Sequence, residues 1–103
     1  MTLEKLANLL ASTGLPVTYL AWPEGSAPPL PFICYLVAST NNFVADGQVY
    51  LSVQRVHVEL YTKVKDLDAE SRVEDALREI PWQKSETYLN TEKCYQILYE
   101  IEV

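Results

Sequence analysis

The stretch Val49–Thr62, VYLSVQRVHVELYT, most constrains how this chain can fold, because its apolar residues change sides halfway along. The first half is apolar at odd positions, and the second half is apolar at even positions. Successive side chains of a strand point to opposite faces, so this segment cannot keep one apolar face along its length. At about 3.3 Å per residue it would also span roughly 46 Å, far more than the usual strand.

Two explanations of the switch remain open from the sequence. A β-bulge near Gln54-Arg55 would insert one extra residue, so that the same face stays buried. Alternatively, Val56–Leu60 faces the subunit's own helices, while Val49–Val53 projects beyond the sheet as an arm that another chain must cover. The second explanation predicts a subunit interface, which comprises Phe43, Val44, Val49, Tyr50, Leu51, Val53 and Arg55.

The rest of the chain divides into two helices and four further strands. An apolar stripe from Leu3 to Ala11 predicts the first helix, with Thr2 as its cap. Asp66 is expected to cap the second helix, which ends at Pro81, and Glu74 is expected to pair with Arg78 one turn later. Asp46-Gly47 is typical of a hairpin turn leading into Val49–Thr62. The other predicted strands are Val17–Trp22, Phe32–Ala38, Trp82–Leu89 and Lys93–Val103.

This order of elements, α-β-β-β-α-β-β, predicts an α+β fold in a single domain of residues 1–103. Two helices cannot cover both faces of a sheet this size, so both are expected on one face. The sheet is then mainly antiparallel, with four or five strands, and its other face is left for water or a partner. A long β-hairpin arm would extend from it. In the last strand, alternate residues from Tyr95 to Val103 are predicted to point inward.

Composition and residue chemistry favour a protein that is not an enzyme. A net charge of −6 argues against a nucleic-acid binder, whose phosphate contacts need a surplus of Lys and Arg. The lone His57 is predicted to be a strand residue at the sheet surface, and three unclustered glycines offer no phosphate-binding loop. Cys34 and Cys94 are expected to be buried thiols. We therefore predict no catalytic residues, no metal and no cofactor, and the absence of a signal peptide or membrane-spanning run predicts a cytosolic chain.

Four segments together resemble a family of small siphophage and prophage proteins encoded among the head–tail joining genes. They are NNFVADGQVY, VHVELYTKVKD, the helix AESRVEDALRE, and KSETYLNTEKCYQILYEI; the loop WPEGSAPPLPFICYLV is also similar to the family. Such proteins are variously called minor capsid, tail-completion or tail-terminator proteins. The resemblance covers nearly the whole chain and implies an α+β subunit that assembles into a ring, commonly a hexamer.

The resemblance also implies the role and the partners. The ring would cap the finished tail tube and give the filled head a docking surface, so its partners would be other copies of the chain, the tail tube protein and a head-completion protein. DNA would pass through the ring without specific binding, and no membrane would be involved. The chain would then belong to the head–tail junction of the virion and to the host bacterial cytoplasm during assembly. A head-completion role in the same connector, and a non-enzymatic adaptor that binds a peptide along a sheet edge, are the alternatives.

Overall fold

Nine elements of secondary structure follow one another along the chain. The computed structural model describes all 103 residues. In chain order the elements are α1 (Leu3–Ala11), β1 (Val17–Tyr19), β2 (Phe32–Thr40), β3 (Phe43–Ala45), β4 (Gln48–Leu51), β5 (Gln54–Thr62), α2 (Leu67–Ala76), β6 (Gln83–Leu89) and β7 (Cys94–Glu102).

The main sheet has five strands in the order β1-β2-β5-β7-β6. Only β1 and β2 run parallel, and the other three neighbouring pairs are antiparallel. β3 and β4 form a separate two-stranded antiparallel sheet. The predicted α+β class and the α-β-β-β-α-β-β order are confirmed for the main sheet, and the β3–β4 hairpin is added between β2 and β5.

Both helices pack against the same face of the sheet, as predicted. On that face, Ile33, Leu60 and Ile97 lie side by side across β2, β5 and β7. Leu6 of α1 and Val73 of α2 are buried in the same apolar cluster as these three residues. β5 therefore points its even residues, including Val58, into the core, and this agrees with the alternation of its second half.

The helix caps follow the sequence predictions. The Thr2 hydroxyl accepts a hydrogen bond from the Lys5 backbone N–H at 3.1 Å, and the Asp66 carboxylate accepts one from Ala69 N–H at 3.0 Å. The expected pairing of Glu74 with Arg78 is wrong. The Glu74 carboxylate is instead bound by Lys84 and by the Tyr99 hydroxyl, because α2 packs against β6 and β7.

The segment Val49–Thr62 is two strands rather than one. β4 ends at Leu51 and β5 begins at Gln54, so the apolar face changes across a break at Ser52-Val53. The bulge considered near Gln54-Arg55 is absent there. Instead, the register of the β2–β5 pair shifts between Val37 and Ser39, on the opposite strand.

Candidate functional site

The candidate site is the β3–β4 hairpin, residues 43–51, which we call the arm. Its turn consists of Asp46 and Gly47, whose φ angles are 53° and 74°. Two successive positive φ angles between paired residues Ala45 and Gln48 describe a type I′ turn, the two-residue turn whose twist suits a β-hairpin. Asp and Gly tolerate this conformation better than most residues, so the sequence fixes the tip of the arm locally.

The root of the arm is held by backbone and amide hydrogen bonds. Asn41 N–H donates to the Val53 carbonyl at 2.8 Å. The Asn42 side-chain oxygen accepts hydrogen bonds from the Ser52 hydroxyl and from Val53 N–H, each at 3.1 Å. Gln54 in turn exchanges two backbone hydrogen bonds of 2.9 Å with Val103. The arm therefore leaves the main sheet through a bonded junction rather than through a free loop.

A second register shift lies within the arm itself. Val44 is paired with Val49, but the next residue back, Phe43, is paired with Leu51, so Tyr50 is an inserted bulge residue. Paired residues share a face and adjacent residues of a strand do not. The arm therefore has two distinct faces, which we call the Phe43 face (Phe43 and Leu51) and the valine face (Val44 and Val49).

Both faces of the arm are exposed, although both are apolar. Relative exposure is 63% for Phe43, 56% for Val44, 55% for Val49, 66% for Tyr50 and 60% for Leu51. None of these side chains belongs to the core cluster or packs against it. The five side chains are therefore available to another molecule.

Not all of the predicted interface residues lie on the arm. Val53 is half-buried at the junction, and Arg55 is exposed near the start of β5, just beyond that junction. The idea that Val49, Leu51 and Val53 share one face of a regular strand does not hold, because the bulge at Tyr50 places Val49 and Leu51 on opposite faces. The alternation of the sequence alone could not reveal this insertion.

A groove of about 370 Å³ opens beside the root of the arm. It lies where β7 continues past the start of β6, and its walls include Arg55, His57, Trp82 and Glu100. His57 is half-buried and stands directly across from Glu100 on β7, on the sheet face without helices. The location of His57 at the sheet surface agrees with the sequence prediction.

The two cysteines are free thiols, and both are buried. Burial, together with the nearby negative charge of Glu59, raises the pKa of the Cys34 thiol to about 11, so it stays protonated near neutral pH. No group of three or more His, Cys, Asp or Glu side chains is arranged to hold a metal ion.

An ion-pair network that the sequence did not reveal joins α2 to the edge strand β6. The Glu70 side chain is nearly fully buried, and its two oxygens lie 2.7 Å from Lys65 Nζ and 3.0 Å from Lys84 Nζ. Burial opposes the ionisation of Glu70, but the two lysines outweigh it and lower the pKa of this carboxyl. The network holds the side of the sheet farthest from β1 against the helix, and it takes no part in the arm.

A scan against protein-family models finds no matching family, and a search of curated proteins finds no significantly similar sequence. Neither helix has the length and apolar character needed to cross a bilayer.

Proposed function

We propose that this chain is a structural protein that assembles into a ring at the head–tail junction of a long-tailed phage or prophage. The ring is a hexamer, as is common in the family that the chain resembles. The ring caps the tail tube and offers a docking surface to the head. Its partners are other copies of the chain, the tail tube protein and a head-completion protein, with DNA passing through the opening without specific binding. The proposal places the chain in the virion, and in the bacterial cytoplasm during assembly.

The observation that carries this proposal is the exposed apolar arm. Five large apolar side chains stand outside the core on a hairpin that has a regular two-residue turn and a hydrogen-bonded root. A contiguous exposed apolar patch marks a surface that another molecule covers. A two-stranded ribbon alone is also only marginally stable in water. A partner that packs on the arm would therefore supply the stabilising apolar contacts that the rest of its own chain does not make.

The resemblance to the head–tail joining proteins supplies the biological setting of the proposal. It implies that the second molecule is another copy and that the assembly is a ring. A ring of identical subunits needs unlike patches that meet head to tail, and an exposed apolar arm can supply such a contact. The elongated subunit, 48 Å along its longest axis and 27 Å and 23 Å across, is compatible with such a projection.

One observation favours the alternative of an adaptor that binds a peptide. The outer edge of β6 has no neighbouring strand, and six of its seven residues are exposed. A free edge can bind an extended peptide through backbone hydrogen bonds. However, Lys84 and Glu86 lie on this strand, and charged residues on an edge strand disfavour the addition of further strands.

The tube-capping role is tested with a tail tube protein of a long-tailed phage. We expect the purified chain, added to growing tail tubes, to stop their elongation and to appear at one end of each tube in electron micrographs. Leu51→Glu, which places a charge on the arm, should not cap the tubes, whereas the matched surface variant Asn8→Glu on α1 should. Tubes that elongate normally in the presence of the parent chain would contradict the capping role.

A further inference from the structure

We propose that both faces of the arm are buried in the assembly, so that each arm lies between the arms of its two neighbours. The Phe43 face of one copy packs on the valine face of the next. This inference deepens the proposed ring and rests on it, because it specifies which surfaces of two copies meet.

The arm is apolar on two sides. Phe43 and Leu51 point to one side and Val44 and Val49 to the other, and all four are more than half exposed. A partner that covered one face would leave the second face in water. Complete burial therefore requires a contact on each side of the hairpin.

The two faces of the arm differ in their side chains. One carries an aromatic ring and a leucine, with Tyr50 of the bulge beside them, and the other carries two valines. A two-fold dimer joins identical patches, so it would bury only one of the two faces. Contact of the Phe43 face with a valine face is instead head-to-tail. It leaves one free face at each end of a row until a ring closes.

The apolar area of the arm is small for a stable interface. Aromatic residues bury roughly 150–250 Å² each and valines less, so the five exposed side chains of the arm offer on the order of 500 Å² in total. A stable interface buries about 800 Å² on each partner, so a single face of the arm falls well short of it. Contacts on both faces of every arm roughly double the apolar area that each subunit buries, and this area is divided between two junctions.

The arm also carries little charge. Residues 43–53 include a single charged side chain, Asp46, although the chain as a whole carries 8 basic and 14 acidic residues. Two copies with a net charge of −6 repel one another over most of their surfaces. Contact between two arms brings together no charged side chains other than their Asp46 residues, so another copy meets less repulsion at the arm than at the rest of the surface.

The test places opposite charges on the two faces. Leu51→Glu charges the Phe43 face, Val49→Lys charges the valine face, and Asn8→Glu and Asn8→Lys place the same charges on an exposed site of α1. Sedimentation velocity is measured for each protein and for an equimolar mixture of the two arm variants. The solution conditions are those under which the parent chain assembles. Circular dichroism checks the fold of each variant. If a charged variant loses the β-strand signal of its spectrum, Leu51→Ser or Val49→Ser takes its place.

We expect each arm variant alone to sediment as an 11.7 kDa monomer and both Asn8 variants to assemble. The mixture should regain assembly when the two variants alternate around the ring. Unmodified faces then meet at every second junction. At the other junctions the introduced carboxylate of one variant faces the introduced ammonium of the other. Assembly of either arm variant alone, or a mixture that stays monomeric, would overturn this inference and leave the ring intact. A parent chain that is monomeric at every concentration would overturn the ring proposal itself.

Discussion

A glutamate in place of Val58 and a glutamate in place of Leu51 should have opposite consequences, although both residues lie in the segment Val49–Thr62. Val58 is fully buried, between Tyr35 and Tyr99 of the neighbouring strands. A carboxylate there has no basic partner in the core cluster, and an uncompensated buried charge costs about 3–5 kcal/mol in addition to the lost apolar packing. The whole domain has only about 5–15 kcal/mol of stability, so Val58→Glu should leave it largely unfolded.

Leu51 is 60% exposed and makes no contact with the core. Surface substitutions of this kind usually change stability by less than about 0.5 kcal/mol, so Leu51→Glu should fold normally. Its carboxylate becomes costly only when the interface forms. Circular dichroism and thermal unfolding would report the fold, and sedimentation velocity would report assembly. If Leu51→Glu lowers the melting temperature as much as Val58→Glu does, the arm is part of the core and our account of it is wrong.

Three further predictions concern the core, the ion-pair network and the turn. Ile97→Ala should destabilise the domain by roughly 2–4 kcal/mol, through lost burial and a cavity, and an unchanged melting temperature would contradict its central position. The lowered pKa of Glu70 means that its ionised form stabilises the fold above the ordinary glutamate pKa, and this stabilisation is lost as the pH falls through the lowered folded value. Glu70→Gln should therefore lower the free energy of unfolding by about 1–3 kcal/mol at pH 7. It should also make this free energy, measured by urea unfolding, depend less on pH on the acid side. An unchanged dependence on pH would show that the lysines do not stabilise the charge. Gly47→Ala, at a φ of 74°, should strain the turn by roughly 1–2 kcal/mol. It should weaken assembly measured by sedimentation and leave the main thermal unfolding transition unchanged. A lower transition temperature would mean that the arm and the core unfold together.

Much of the fold could be predicted because its signals are local. The Thr2 and Asp66 caps act within one turn of helix, and the alternation of the last strand places Ile97, Tyr99 and Ile101 inward as predicted. The type I′ turn follows from the Asp46-Gly47 pair. These features depend on neighbours in the sequence, so the residues themselves specify them.

The features that the sequence did not reveal depend on residues distant in the chain. Tyr50 is a bulge residue only because Leu51 pairs with Phe43, and no local sequence pattern indicates that pairing. Glu70 looks like an ordinary acidic residue of a first helical turn, but Lys84 on β6 makes it a buried ion-pair partner. The predicted second helix also ran to Pro81, whereas regular α-helix ends at Ala76, and Leu77 and Ile80 are buried beyond it.

The mass of the assembled parent chain tests the central claim most directly. Native mass spectrometry and sedimentation equilibrium, over a range of protein and salt concentrations, would measure how many 11.7 kDa subunits associate. A head-to-tail contact between unlike faces predicts one closed species of more than two subunits, with few intermediates once it forms, and the resemblance to the head–tail joining proteins implies six subunits. A chain that stays monomeric, or that stops at a dimer at the highest concentrations, would contradict the ring.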